Sequence, residues 1–400
     1  MRSVITEEDF KANFQLAVLL TEAKVLIENK IFNFNVVIPG DTLPIHFKDC
    51  EFNETISFSP AIISKDVNRL EDIELYEKSE DNFFDIEEDV EIRNEIRFSD
   101  NCEFKKEINL EEVTFNAKFL IHDSKVELIK FNNTKFQSLA DFWKTTFKNR
   151  VIFYKSDFNA TAVFSMATFE ENALFTYSLL GGKSIFSRTQ FKKGVDLSQA
   201  IISGQLKFFD LKINYSDFKS RYFHKDNKGY QNAIDNQGDI PLVNKQETFR
   251  LLKHYSSING DGISGSRFKV LEYRSFHKLI WIQSFCHGHR LVSNLANIPM
   301  MFLNRISNNY GSNFWLASIF TVGFAGLFLN GMLFNIGGFD YTWNYENWQW
   351  KRLAIILNPL HKVNELKLGD SQELYILDFI SRIAVGYGIY QTVQAFRKYK

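Results

Sequence analysis

From Phe131 onward, large apolar residues recur at gaps of five and six in strict alternation. They are Phe131, Phe136, Phe142, Phe147, Phe153, Phe158, Phe164, Phe169, Phe175, Leu180, Phe186, Phe191, Leu197, Ile202 and Phe208. Neither the 3.6-residue period of a helix nor the two-residue period of a strand gives that spacing. Two positions before each sits a smaller residue, as in Thr134, Ala140, Thr145, Val151, Ser156, Ala162, Ala167 and Ala173. The pattern predicts a solenoid with an eleven-residue unit, two units to a coil. Each short side is a strand that points one large residue inward, and the small residue fits where the interior is crowded. Such coils stack by parallel pairing at roughly 4.8 Å. Burying each Phe contributes about 2–3 kcal/mol relative to exposure, so the Phe columns form the core.

The rule is weaker at Phe98, Phe104, Phe115, Leu120 and Val126, and at Phe47, Phe52 and Phe58. Between these lies 64–95, rich in Asp and Glu, which either loops out or forms degenerate coils. The alternating steps resemble those of pentapeptide-repeat proteins, in the subgroup with five- and six-residue spacing. The resemblance implies a right-handed quadrilateral β-helix over 31–223 with an acidic insertion at 64–95. It speaks to architecture more than to activity. An N-terminal cap over 1–30 is expected to be helical, starting at Thr6-Glu7-Glu8-Asp9.

The Phe period stops near Phe223, and the polar run 224–244 reads as a boundary. Phe249, Leu252 and Tyr255, then Phe268 and Leu271, fall at helical spacing on either side of Gly260-Asp261-Gly262. They predict a linker and α-helical hairpin within 224–280. No charged residue occurs from Ile306 to Phe339, and 314–336 is long enough to cross a bilayer, which needs about 20 apolar residues. A second span is expected at 374–396, followed by Arg397, Lys398 and Lys400. Residues 281–312 are read as an interfacial elbow and 313–400 as a transmembrane domain. The terminal basic cluster places the C-terminus inside, and two crossings place the Phe repeat there too.

Asp378 and Arg382 stand one helical turn apart in the second span. Tyr387, Gln391 and Gln394 lie toward the opposite face. Ionisable groups at membrane depth face a bundle interior or water. These five residues therefore either line a pore or glue helices together.

Composition adds three points. The formal net charge is −1, so bulk charge names no partner. It is uneven: 49–100 hold 17 Asp/Glu against 5 Lys/Arg, whereas 101–223 hold 18 Lys/Arg against 13 Asp/Glu. Lys144, Lys155 and Arg188 share a repeat position, with Lys192 and Lys193 nearby, so this side is a candidate surface for an anionic ligand. The 3 cysteines are too few for a disulfide framework, and MRSVITEEDF is not a signal peptide, which suits a reducing compartment. Cys286, His287 and His289 have no second cluster at metal-ligand spacing. No nucleophile elbow, phosphate loop or HExxH is present. A protein without enzymatic activity or cofactor is expected.

The layout resembles bacterial pentapeptide-like proteins with a C-terminal two-helix, ion-channel-like module, including membrane effectors of antiphage defence. That resemblance implies a pore in the inner membrane, gated by a cytoplasmic sensor and causing depolarisation and growth arrest. Two crossings cannot enclose a pathway, so a cyclic homo-oligomer is required, expected as a tetramer. A nucleotide or DNA oligomer, made by a neighbouring nucleotidyltransferase, is the candidate regulatory ligand. The alternatives are a membrane-anchored binding scaffold and a nucleotide- or nucleic-acid-binding regulator.

Overall fold

The computed structural model describes residues 2–12, 24–60, 90–214, 240–285, 294, 296–335, 348–369 and 371–397. The chain divides into two units, Met1–Thr248 and Phe249–Lys400.

The first unit is a β-solenoid of about seven turns built from parallel, stacked strands. Four pairings recur in turn as the chain advances. Phe136 pairs with Phe158, Ala140 with Ala162, Phe147 with Phe169 and Phe131 with Phe153, each partner lying two repeat units further along. The expected large residues are the core, and they stack on their counterparts one coil away. Phe164 lies between Phe142 at 5.3 Å and Phe186 at 4.9 Å, with ring planes within 12°. Phe153 and Phe175 stack at 4.4 Å.

The small residues are buried for a reason that the size argument missed in part. Thr134 Oγ1 donates to the Leu110 carbonyl and Thr189 Oγ1 to the Phe164 carbonyl, both at 2.7 Å. A hydroxyl is accepted at this position when it reaches a carbonyl of the coil below.

Corners are made without glycine. Asn133, Lys144, Lys155, Met166, Tyr177 and Arg188, one repeat unit apart, all have φ between 47° and 59°. Left-handed backbone costs an L-residue about 1–2 kcal/mol. Here corner N–H groups donate to the next coil: Lys144 to Ser165, Lys155 to Thr176 and Arg188 to Phe209, at 2.9, 2.9 and 2.6 Å.

Gly182 and Gly204 answer a different need. A Cβ on Gly182 would meet the Ala160 carbonyl oxygen at 2.0 Å. Gly182→Ala should therefore lower the melting temperature of the solenoid by several degrees, because the obstructing atom is backbone. Gly181→Ala, whose Cβ would find ordinary contacts of 3.5 Å and longer, should leave it nearly unchanged. Thermal unfolding followed by the β signal in circular dichroism separates the two.

The N-terminal expectation needs adjustment. Ser3–Ile5 already pairs with Lys30–Phe32, and Val25–Glu28 pairs with Ile45–Lys48, so the ladders begin well before residue 31. Helix is described only at 7–12, started by Thr6 Oγ1 accepting from the Asp9 N–H at 3.1 Å. The rest of the expected helix, 13–23, lies outside the described residues. So do residues 64–89 of the acidic segment 64–95. Its end, Val90–Ile92, is a strand paired with Val113–Phe115. The coils before and after it pair directly, Phe47 with Phe98 and Phe52 with Phe104, so the insertion interrupts the sequence of the solenoid and not its stack.

The unit closes on the start of helix α1 (Leu242–Ile258). The buried carboxylate of Asp196 accepts from Asn244 Nδ2 at 2.8 Å, and Thr248 Oγ1 accepts from the Leu197 N–H at 3.0 Å.

The second unit is helical. It contains the rest of α1, then α2 (Gly262–Phe285), α3 (Asn297–Asn308), α4 (Phe314–Asn335), α5 (Trp348–Ile356) and α6 (Gln372–Phe396). The turn between α1 and α2 uses Gly260 at φ 74°. Lys253 and Glu272 join the two helices at 2.6 Å. Helices α4 and α6 pack antiparallel: Phe314 meets Phe396 with ring centroids 4.3 Å apart, Phe320 meets Tyr387, and Gly388 sits against Thr321 with no room for a methyl group. At the other end Leu329, Met332 and Leu333 pack with Ile356 of α5, Leu366, Leu374 and Val385.

One described helix, over Phe314–Phe334, is long and apolar enough to cross a membrane. Helix α6 has the length, 25 residues or about 37 Å at 1.5 Å per residue, but it carries Glu373, Asp378 and Arg382.

Candidate functional site

The chemistry-bearing residues of the second unit fall into two buried polar clusters on α6. The first lies near its N-terminal end. Ser371 caps that end, accepting from the Leu374 N–H. Asp378, one turn further in and 2% exposed, accepts from Arg382 on one oxygen, with Nε at 2.7 Å and Nη2 at 2.6 Å. The expected i, i+4 pair is therefore formed.

Its other oxygen is 2.7 Å from Nε2 of His361, which the sequence reading did not single out. His361 Nδ1 lies 2.7 Å from the Asn358 carbonyl oxygen. The ring thus bridges the Asn358 carbonyl and the Asp378 carboxyl group. Asp378 thus lies between an imidazole and a guanidinium group. The Ser381 hydroxyl, also buried, donates to the Asp378 carbonyl at 2.8 Å.

The second cluster lies toward the C-terminal end. Gln391 Nε2 and the Tyr387 hydroxyl both donate to Asn304 Oδ1, at 3.1 and 3.2 Å. Asn308 Nδ2 donates to Gln391 Oε1, and it approaches Gln394 Oε1 at 3.4 Å. Asn308 Oδ1 in turn accepts from the Gly311 N–H at 2.7 Å, fixing the turn between α3 and α4. The partners Asn304 and Asn308 sit on α3, in the segment read as an interfacial elbow. The signal that could have found them is their i, i+4 spacing, which puts two amides on one face of a helix next to a polar face of α6.

All five residues proposed as pore-lining or helix-packing thus bond within one protomer. Asp378 and Arg382 belong to one cluster. Tyr387, Gln391 and Gln394 belong to the other.

The candidate anionic-ligand surface of the solenoid is dispersed. Lys144 and Arg188 stand on one column of corners and Lys155 on another, since counterparts recur at every second repeat unit. Lys144 pairs with Asp123 at 2.8 Å, Lys192 with Glu170 at 2.7 Å and Lys193 with Glu171 at 2.7 Å. Lys155 lies over the Tyr154 ring and Arg188 over the Phe209 ring. Their common repeat position is explained by the corner backbone. Carboxylates one coil away neutralise three of the five cations.

The CHGH sequence at 286–289 lies outside the described residues, and among the described residues no group of His, Cys, Asp and Glu is arranged to hold a metal ion. Cys50 and Cys102 are free and buried.

No protein-family model, curated protein or solved structure matches this chain.

Proposed function

We propose that the chain is a membrane protein in which helices α4 and α6 both cross the bilayer and several copies together form a gated ion pore, with the β-solenoid as the sensing domain. The observation that carries this reading is the buried Asp378, held between His361 and Arg382 on a helix whose outward residues Ile376, Phe379 and Ile383 are exposed and apolar. Ile319, Leu327 and Phe334 give α4 a matching outward face. Such faces suit lipid, while three ionisable groups within the hairpin are costly there and a simple anchor gains nothing from them.

In the finer form of this proposal the solenoid is a right-handed quadrilateral β-helix of the pentapeptide-like kind. The assembly is a homotetramer in a bacterial inner membrane, with the solenoid and the C-terminus cytoplasmic. Its role is that of an antiphage effector without enzymatic activity, responding to a nucleotide or DNA-oligomer ligand. The four recurring strand pairings support the fold assignment. The physiological role rests on the resemblance in layout.

A second reading, a membrane-anchored scaffold, is favoured by one observation. Tyr387, Gln391 and Gln394 find their partners on α3 of the same protomer, as residues that glue helices do.

Ion flux from liposomes loaded with purified protein decides between the two. The pore reading expects flux above that of empty vesicles, and Gln391→Leu to change it by severalfold. Oligomers that leave the vesicles ion-tight, with and without nucleotide or DNA ligands, would remove the pore and leave the scaffold.

A further inference from the structure

Helices α2 and α3 form a cleft of about 740 Å³ whose lining includes Arg274, His277, Lys278, Trp281, Arg305 and Tyr310. Among the described residues that line it, none is acidic. The nearest carboxylate on α2, Glu272, is bonded to Lys253 at 2.6 Å.

Two of these residues have neutral partners within the cleft. Arg274 donates to the neutral Asn309 side chain at 3.1 Å, and His277 Nδ1 meets the Tyr310 hydroxyl at 2.9 Å. Burial and the neighbouring Arg305 hold the His277 imidazole below its ordinary range. Burial raises the Tyr310 phenol against the pull of both Arg305 and Arg274.

Tyr310 is buried and His277 half-buried at the bottom of the cleft, whereas Arg274, Lys278 and Arg305 are exposed at its edge. Trp281 and Phe302 are about half exposed, at 52% and 53%. Exposed cations beside exposed aromatic rings around one cleft suit a group that is anionic at one end and apolar at the other. The cleft also stands where the chain enters α4, since α3 leads through Asn309–Asn313 directly to Phe314.

We infer that this cleft binds a phosphate ester, as the headgroup of an anionic phospholipid whose acyl chains lie along the aromatic rim. The inference rests on the membrane reading above. Anionic headgroups attract basic segments next to a span by about 1 kcal/mol per cation near the surface. Two guanidinium groups lining one cleft supply the directional bonds that select a phosphate.

The test uses the full chain in a neutral detergent, titrated with short-chain phosphatidylglycerol and followed by tryptophan fluorescence. Saturable binding is expected, with short-chain phosphatidylcholine at least tenfold weaker. Arg274→Gln/Arg305→Gln should weaken phosphatidylglycerol at least tenfold, whereas Arg267→Gln, an exposed charge on the same helix, should not. If the double variant fails to fold by circular dichroism, Arg274→Gln alone replaces it, with a loss of at least threefold expected.

Inorganic phosphate serves as competitor. Displacement by phosphate at millimolar concentration assigns the site to a free anion, and its failure to compete assigns the site to the lipid. Equal binding of the two lipids, or a double variant that binds like the parent, overturns the site. Insertion is measured separately, by resistance to carbonate extraction from phosphatidylcholine vesicles. A chain that does not insert yet binds phosphatidylglycerol loses the membrane reading and keeps the cleft. A chain that inserts with no preference for the anionic lipid loses only the cleft.

Discussion

Phe164→Asp is expected to prevent the solenoid from folding, and Phe164→Ala to weaken it by about 3–5 kcal/mol. Phe164 is fully buried and stacked between Phe142 and Phe186, with Phe153, Phe158 and Phe175 edge-on at 5.8 to 5.9 Å. A carboxylate there has no partner and no water, and burying an unpaired charge costs far more than a domain's net stability. Alanine leaves a cavity whose walls are held by ladders on every side, so it cannot close. Met166→Ala is the control. It lies two residues on, at an exposed corner, and should change stability by less than about 0.5 kcal/mol. Denaturant unfolding of the full chain in detergent, followed by the β signal, measures all three. A Phe164→Asp chain with parent-like β content would show that this column is not the core.

The second large effect is at Asp378. Asp378→Asn keeps the shape but leaves His361, 1% exposed, and the partly buried Arg382 without their shared carboxyl group. Removing one partner of a buried ion cluster costs about 3–5 kcal/mol. Replacing all three with apolar residues, His361→Leu/Asp378→Leu/Arg382→Leu, should recover most of that loss, because no charge is then left unpaired. Thermal unfolding in detergent separates the cases. A triple variant as unstable as Asp378→Asn would mean that the residues matter for shape and not for charge. The same triple variant tests the pore, since restored stability without ion flux would assign the cluster to conduction.

The solenoid was legible because one side chain type recurs at one spacing. A buried column constrains every coil identically, so its period survives in the sequence. The corners were half legible. Lys144, Lys155 and Arg188 were seen to share a position, but the shared requirement is a backbone conformation satisfied by an inter-coil hydrogen bond, which leaves little mark on residue type. The N-terminal strands Ser3–Ile5 and Val25–Glu28 were missed because such short strands carry too few periods to register. Asp378 and Arg382 were visible through helical spacing. Their third member was not, since His361 is 17 residues from Asp378 in sequence and joins it only once α5 and the following turn pack on the hairpin. Asn304 and Asn308 were hidden for the same reason: their partners on α6 are remote in sequence.

The direct pairing of Phe52 with Phe104 sets the folding order of the solenoid. Over most of its length each new strand finds its partner a single coil back, as Phe52 does with Phe32 and Phe147 with Val126. Contact order therefore stays low, and coils add like the teeth of a zipper. Joining the first coils to the rest requires a step more than twice as long, because the acidic segment lies between the paired strands. By loop-closure entropy that step costs only about 0.8 kcal/mol more than a single-coil one. The stack tolerates the interruption at equilibrium, yet this is the slowest stitch. The coils after residue 90 are expected to gain their hydrogen bonds before the N-terminal coils dock onto their edge.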